Sequence, residues 1–138
     1  MSPITVETTV YAPVEKVWEM WNGPEHIPHW AFASDDWEAP SAENDVREGG
    51  TFKTVMAAKD RSAQFDFTGT YTKVVPNKQL EYVMDDGRKV SVTFEKIDED
   101  ATKITETFDP ENENTEEVQQ SGWQAILDNF KKYAEANS

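Results

Sequence analysis

The chain has 138 residues, no cysteine, and 27 Asp and Glu against 13 Lys and Arg, for a net charge of -14. That length suits one domain, residues 1–138, with a proper core. The charge argues against a nucleic acid or an anionic membrane as partner, and the missing cysteines exclude disulfides, a thiolate nucleophile and a cysteine zinc site.

A mean hydropathy of -0.75 coexists with 12% aromatic residues, five of them Trp, so apolar area is concentrated in a few large side chains. Residues 1–15 lack a basic segment followed by an apolar run, and no apolar stretch is long enough to span a bilayer. A cytoplasmic protein without membrane insertion is the expectation.

In chain order, Ile4, Val6, Thr8 and Val10 alternate with Thr5, Glu7, Thr9 and Tyr11, the period of a strand with one face inward. Pro13 opens a short helix on which Val14, Val17, Trp18 and Trp21 share a stripe. Asn22-Gly23 closes it with a residue that tolerates a left-handed conformation. Pro24 starts another brief turn through residue 30. Both pieces are too short for a bundle and suit a plug or lid.

Over residues 36–110 the pattern changes to short runs rich in Val, Thr, Phe and Tyr. Gly49-Gly50, Pro76-Asn77, Asp86-Gly87 and Asp98-Glu99-Asp100 punctuate them at antiparallel spacing. The clearest strand is 89–97, with Val90, Val92 and Phe94 on one face. Its neighbour carries Ile104 and Phe108 on the inner face, where Glu106 is an exception. Phe65, Phe67, Gly69 and Tyr71 make a further set, as do Leu80, Tyr82 and Met84, and Phe52 with Met56. Residues 111–117 form an acidic linker.

Residues 115–137 give the strongest signal. Val118, Gly122, Trp123, Ile126, Leu127, Phe130, Tyr133 and Ala134 share about half the circumference of a helix. Gln120, Gln124, Asp128 and Lys131 fall on the opposite face, where water serves them. Asn114 with Glu117 is a candidate cap, and Lys131 and Lys132 sit near the end, as the helix dipole favours. Gln119 projects near the middle of the apolar arc. A solvated first turn accounts for it, and the alternative is a side chain looking into an internal pocket. Such a helix needs a surface to grip, and a curved antiparallel sheet of six to seven strands supplies one, which predicts a two-layer α+β fold.

Taken together, Tyr11-Ala12-Pro13 with Val17-Trp18, Gly23-Pro24-Glu25 leading to Trp30, Arg47-Glu48-Gly49-Gly50-Thr51-Phe52, Gly69-Thr70-Tyr71, Pro76-Asn77-Lys78-Gln79-Leu80 and Gly122-Trp123 resemble the family related to the activator of the ninety-kilodalton heat-shock-protein ATPase, in the START-like helix-grip (SRPBCC) superfamily. The resemblance spans essentially the whole chain. It implies a strand, two short helices, the sheet and a gripping C-terminal helix, with a cavity between that helix and the sheet. Relatives in the superfamily bind lipids, sterols and polyketides, and some catalyse cyclisation or hydrolysis. The family has no universal catalytic motif to carry over.

The motif search is otherwise negative: there is no nucleophile elbow, phosphate loop, dinucleotide fingerprint or His-Glu-x-x-His. His26 and His29 are the only histidines, separated by Ile27 and Pro28 and without an evident third ligand. Packing or exposure is expected of them rather than a metal site, and no cofactor is expected. Asp85-Asp86 and Asp98-Glu99-Asp100 fall at hairpin tips and suit solvated turns. Most of the aromatic side chains fill the core. The functional reading is that a helix laid across a curved sheet leaves a gap lined by Trp30, Trp37, Met56, Phe67, Tyr82, Met84 and Trp123. Arg47, Tyr82 and Gln119 are the candidate polar anchors, although Arg47 also suits a surface ion pair. The expected function is binding of an apolar or aromatic small molecule in that cavity. Alternatives are a surface-acting co-chaperone that stimulates a heat-shock chaperone's ATPase, and a cavity enzyme of hydrolase or cyclase type.

Overall fold

The computed structural model describes residues 2–137. Seven strands form one antiparallel sheet: β1 (Ile4–Val10), β2 (Trp37–Asn44), β3 (Thr51–Ala58), β4 (Gln64–Val75), β5 (Gln79–Met84), β6 (Lys89–Asp98) and β7 (Ala101–Phe108). Their order across the sheet is β1-β7-β6-β5-β4-β3-β2, so every neighbouring pair is joined by a hairpin except β1 and β7. Helix α1 (Val14–Asn22) and a 3-10 turn (Ile27–His29) follow β1, and α2 (Glu116–Asn137) closes the chain. This is the α+β helix-grip arrangement. The second of the two expected short helices is only that single turn.

The alternation along the strands sets which face is buried. On β1, Ile4, Val6 and Val10 turn inward; on β6, Val90, Val92 and Phe94; on β7, Ile104, Glu106 and Phe108. Helix α2 lays Leu127, Phe130 and Ala134, all with no exposed surface, against this face. The Trp123 ring stacks on Phe108 at 3.9 Å and 9°. α1 packs beside it: Trp18 and Trp21 meet Phe94 edge-on at 5.3 and 5.7 Å, and Trp21 meets Phe130 at 4.9 Å.

The polar flank of α2 is not simply solvated. Gln120, Gln124 and Lys131 donate to the backbone carbonyls of Thr5, Glu7 and Thr9, alternate residues on the free edge of β1. An edge strand exposes unpaired carbonyls that invite another chain, and here the helix satisfies them. The other edge, β2, carries Pro40 and a register shift between Glu38 and Ser41, two devices that discourage strand addition. β2 is also the strand that alternation did not single out.

Several details of the helices differ from expectation. Thr115, not Asn114, caps α2, its hydroxyl accepting the Val118 N–H at 3.2 Å. The Asn114 carbonyl is taken by the Gln119 amide at 2.9 Å instead. Val118 is 58% exposed because it lies in the first turn, beyond the sheet's reach. Lys131 reaches sideways to Thr9 and Glu135, and the last turn, which begins after Lys131 and Lys132, holds no basic residue. Gly23 ends α1 in an extended conformation, φ -67° and ψ 123°, its N–H bonded to the Glu19 carbonyl. No helix among the described residues is long and apolar enough to cross a membrane.

Glycines act where the sheet bends. Gly49, at φ 83°, donates to the Tyr71 carbonyl, and Tyr71 in turn donates to Gly50, which fastens the β2–β3 connection to β4. Gly69 on β4 lies opposite Phe52 on β3. A Cβ there would stand 2.8 Å from the Phe52 ring and 2.9 Å from the Val83 carbonyl, so its absence lets the ring lie over the strand. Gly69→Ala is expected to destabilise the fold by about 1–3 kcal/mol through overpacking, read as a lowered urea midpoint at unchanged slope.

Candidate functional site

Between α2 and the β3–β5 part of the sheet lies a cavity of about 340 Å³, within the range of small-molecule sites. It exists because α2 lies along the β1 side, leaving the inner faces of β3, β4 and β5 to be covered by side chains alone. Phe52, Phe67, Tyr71 and Tyr82 gather there, with ring centroids 4.8 to 6.4 Å apart. Trp123 reaches across from α2 to Phe67 at 6.3 Å. Trp21 and Trp30 close the end under α1. Phe65 lines the cavity while remaining 53% exposed, so the space opens to solvent beside β4.

The structure brings six of the nine sequence-predicted residues to this cavity: Trp30, Met56, Phe67, Tyr82, Gln119 and Trp123. The other three lie outside its lining. Trp37 sits on β2 with its ring against Phe65 at 5.9 Å, next to the rim. Met84 is buried in the core, at the end of β5 and paired with Gly69 of β4. Arg47 is exposed and paired with Asp45 at 2.8 Å, because the β2–β3 turn carries it away from the interior. Inward alternation gives the face of the sheet but not which part of that face α2 leaves uncovered.

The expected anchors fare differently. Gln119 is buried, not solvated, but its amide belongs to the linker: Oε1 accepts the Glu111 N–H at 2.8 Å, and Nε2 donates to the carbonyls of Glu111 and Asn114. It clamps the linker to α2. The Tyr82 hydroxyl has no protein partner among the described residues. Burial holds its pKa well above the usual value, with the charge of Glu106 adding to the effect.

Among the polar groups on the wall that escaped selection from sequence are two with a polar atom that lacks a partner among the described residues. Glu106 was visible as an acid on the inner face of β7, between Val6 and Val92 on the adjoining strands. It is 5% exposed and lines the cavity, with neither a hydrogen-bond partner nor a cation beside it among the described residues. Burial alone raises its pKa from 4.5 to about 8. The second group is Asn22. Its Nδ2 is committed to the Trp18 carbonyl at 3.1 Å, which leaves Oδ1 buried without a partner. Around it the polar groups are ordered: the Tyr71 hydroxyl donates to Asn44 Oδ1 at 2.6 Å, and Asn44 Nδ2 donates to the Asn22 carbonyl at 2.8 Å. Burial pushes the Tyr71 phenol up to about 12. No sequence periodicity marks Asn22 as anything but the end of a helix.

Elsewhere, His26 meets the Tyr133 hydroxyl through Nδ1 at 2.6 Å, and His29 stacks on the same ring at 5.6 Å. Both histidines thus brace the 3-10 turn against α2. No group of three or more His, Asp or Glu side chains among the described residues is placed to hold a metal. At the hairpin tip Asp86 pairs with Arg88 and Asp85 accepts from Thr68.

The raised pKa of Glu106 has a signed consequence. The native carboxyl keeps its proton up to about pH 8, whereas the unfolded one loses it near the ordinary glutamate value, so stability is full below about pH 4.5 and is lost as pH rises to about 8. The loss is on the order of a few kcal/mol. Glu106→Gln cannot ionise. Its stability relative to the parent is therefore expected to grow steadily across that window, as measured by urea unfolding at several pH values; a constant difference would contradict the assignment.

The family described as Activator of Hsp90 ATPase homolog 1-like protein matches residues 11–135. The solution structure of an AHSA1-like protein from Aeromonas hydrophila is 46% identical, with 96% of this chain and 93% of that one covered at a TM-score of 0.86. The solution structure of Chr148 from Cytophaga hutchinsonii is 56% identical, covering 98% of this chain and 93% of that one at a TM-score of 0.84. A crystal structure from Chromobacterium violaceum shares the fold at 21% identity, with a TM-score of 0.85 over 98% of this chain and 99% of that one. Curated proteins give no match. The family pattern runs from the end of β1 almost to the end of α2, and the chain belongs to the Activator of Hsp90 ATPase homolog 1-like family.

Proposed function

We propose that this protein binds one apolar or aromatic small molecule in the cavity between α2 and strands β3–β5, as a carrier, sensor or sequestering protein. The observation that supports this most is the cavity of about 340 Å³ walled by Phe52, Phe67, Tyr71, Tyr82 and Trp123. An aromatic wall with few polar groups favours an apolar guest, because each square ångström of apolar area removed from water contributes about 25 cal/mol. The family's description favours a second reading, stimulation of a heat-shock chaperone's ATPase through the protein surface. An unchanged chaperone ATPase rate on addition of the protein would dispose of that one.

Trp21, Trp30 and Trp123 line the cavity, so occupancy should alter tryptophan emission. Native mass spectrometry against a set of apolar compounds is expected to show a one-to-one complex, with saturable quenching. Ile126 projects into the cavity from a half-buried position on α2. Ile126→Trp should fill the space and weaken binding at least tenfold, while its unfolding midpoint moves by no more than overpacking allows, about 1–3 kcal/mol. Retained binding in that variant would place the ligand elsewhere.

A further inference from the structure

We propose that the cavity selects an apolar molecule carrying a basic nitrogen, whose protonated amine docks on Glu106 while the aromatic rings take its hydrocarbon body. The inference rests on the cavity being a ligand site and adds the charge of the ligand.

Glu106 carries the argument. A buried carboxylate is ordinarily paired with a cation or held by several hydrogen bonds, since leaving water uncompensated costs several kcal/mol. Glu106 has neither among the described residues, and it faces a cavity. Val6 and Val92, its neighbours across the sheet, offer it nothing polar, so its missing partner belongs to whatever occupies the space. The fold does not need the acid there, because the alternation of β7 calls for an apolar side chain at that position.

Other features of the wall bear on the sign of the guest. Asn22 Oδ1 is a buried acceptor without a partner, while the Tyr82 hydroxyl, also without a protein partner among the described residues, can donate as well as accept. The faces of Phe67, Tyr82 and Trp123 present negative π density, which attracts an ammonium as well as packing on hydrocarbon. The net charge of -14 draws cations toward the opening. Among the described residues Arg88 is the single cation on the wall. Its Nε is held by Asp86 at 2.8 Å, and its charge acts on Tyr82 rather than Glu106.

The titratable and charged groups facing Glu106 across the cavity are Tyr71 from β4, Tyr82 from β5, Arg88 from the β5–β6 turn and Glu111 from the linker; α2 contributes only Gln119, Trp123 and Ile126. Both phenols stay neutral near pH 7, since burial raises each. In the empty cavity Glu106 holds its proton below about pH 8, whereas an ammonium requires the carboxylate. Amine binding therefore expels a proton, and its affinity should rise about tenfold per pH unit up to about pH 8 and then level.

Decylamine, decan-1-ol and decanoate, three ligands of one chain length, decide the matter in titrations of tryptophan fluorescence at about pH 6 and about pH 8. Decylamine is expected to bind at least tenfold tighter than the alcohol at the higher pH, to lose that advantage at the lower one, and decanoate to bind weakest. Glu106→Gln should abolish the preference, and a cooperative urea unfolding transition of the variant shows that it is folded. Glu106→Asp, which keeps the charge, should retain part of the preference. Equal binding of amine and alcohol to the parent, or a preference that survives Glu106→Gln, overturns the inference while leaving the cavity as a ligand site. If none of the three binds, the ligand-site reading falls and this one with it.

Discussion

One helix cannot cover seven strands. At roughly 4.8 Å between strands, a flat sheet of this size is roughly 30 Å wide, whereas an α-helix with its side chains is about 10 Å across. The sheet therefore curls, and α2 lies where it is held best. That place is beside β1, where Gln120, Gln124 and Lys131 reach the free edge and where Phe108 offers a flat ring to Trp123. Everything on the opposite wall follows from this placement. β3, β4 and β5 must cover their inner faces with their own side chains, and rings are the groups that reach furthest for two rotatable bonds. Rings meeting edge-on at 4.8 to 6.4 Å fill a curved space incompletely, and the residue of that packing is the cavity.

The buried polar groups fall into two classes on physical grounds. Gln119 accepts one and donates two hydrogen bonds to the linker, and Thr102 donates to the Ala12 carbonyl at 2.9 Å. These satisfied groups fasten one segment to another. Glu106, Asn22 Oδ1 and the Tyr82 hydroxyl have no protein partner among the described residues, and all three residues lie on the cavity wall. Removing a polar group from water without a partner lowers stability, so each of these groups costs stability where it stands.

Much of the architecture was legible because it depends on periodicity. The wide apolar face over residues 115–137, the alternation of β1, β6 and β7 and the turn residues between strands are enough for a curved sheet around a terminal helix. What periodicity does not carry is position within a face. Met84 alternates inward as Tyr82 does, yet one is sealed in the core, beside Gly69 over which the Phe52 ring lies, and the other meets the cavity. Arg47 and Trp37 were lost for a related reason, since the path of β2 depends on a bulge and a two-glycine turn rather than on any alternation. Gln119 lies on the apolar arc as expected, but its partners come from a linker with no period at all. Glu106 is the instructive case. It appeared as a break in the pattern of β7, and a break of pattern on an inner face marks the point where local consistency has yielded to something else.

Where that break falls matters for what the site can do. Glu106 is in the middle of a strand paired on both sides, to β1 and to β6, so its backbone is held by ladder hydrogen bonds in both directions. Groups on such elements are aimed more exactly than groups on loops, and little reorganisation is needed when a partner arrives. The aromatic rings, by contrast, are set by packing across β3, β4, β5 and α2. The charge of the site and its shape are therefore carried by different elements, and a valine at position 106 would complete the hydrophobic pattern of β7 and leave the aromatic wall standing. The origin of the space and the charge on its wall are separable in this chain: the grip of α2 on the β1 side creates the space, and Glu106 on β7 places an acid on its wall.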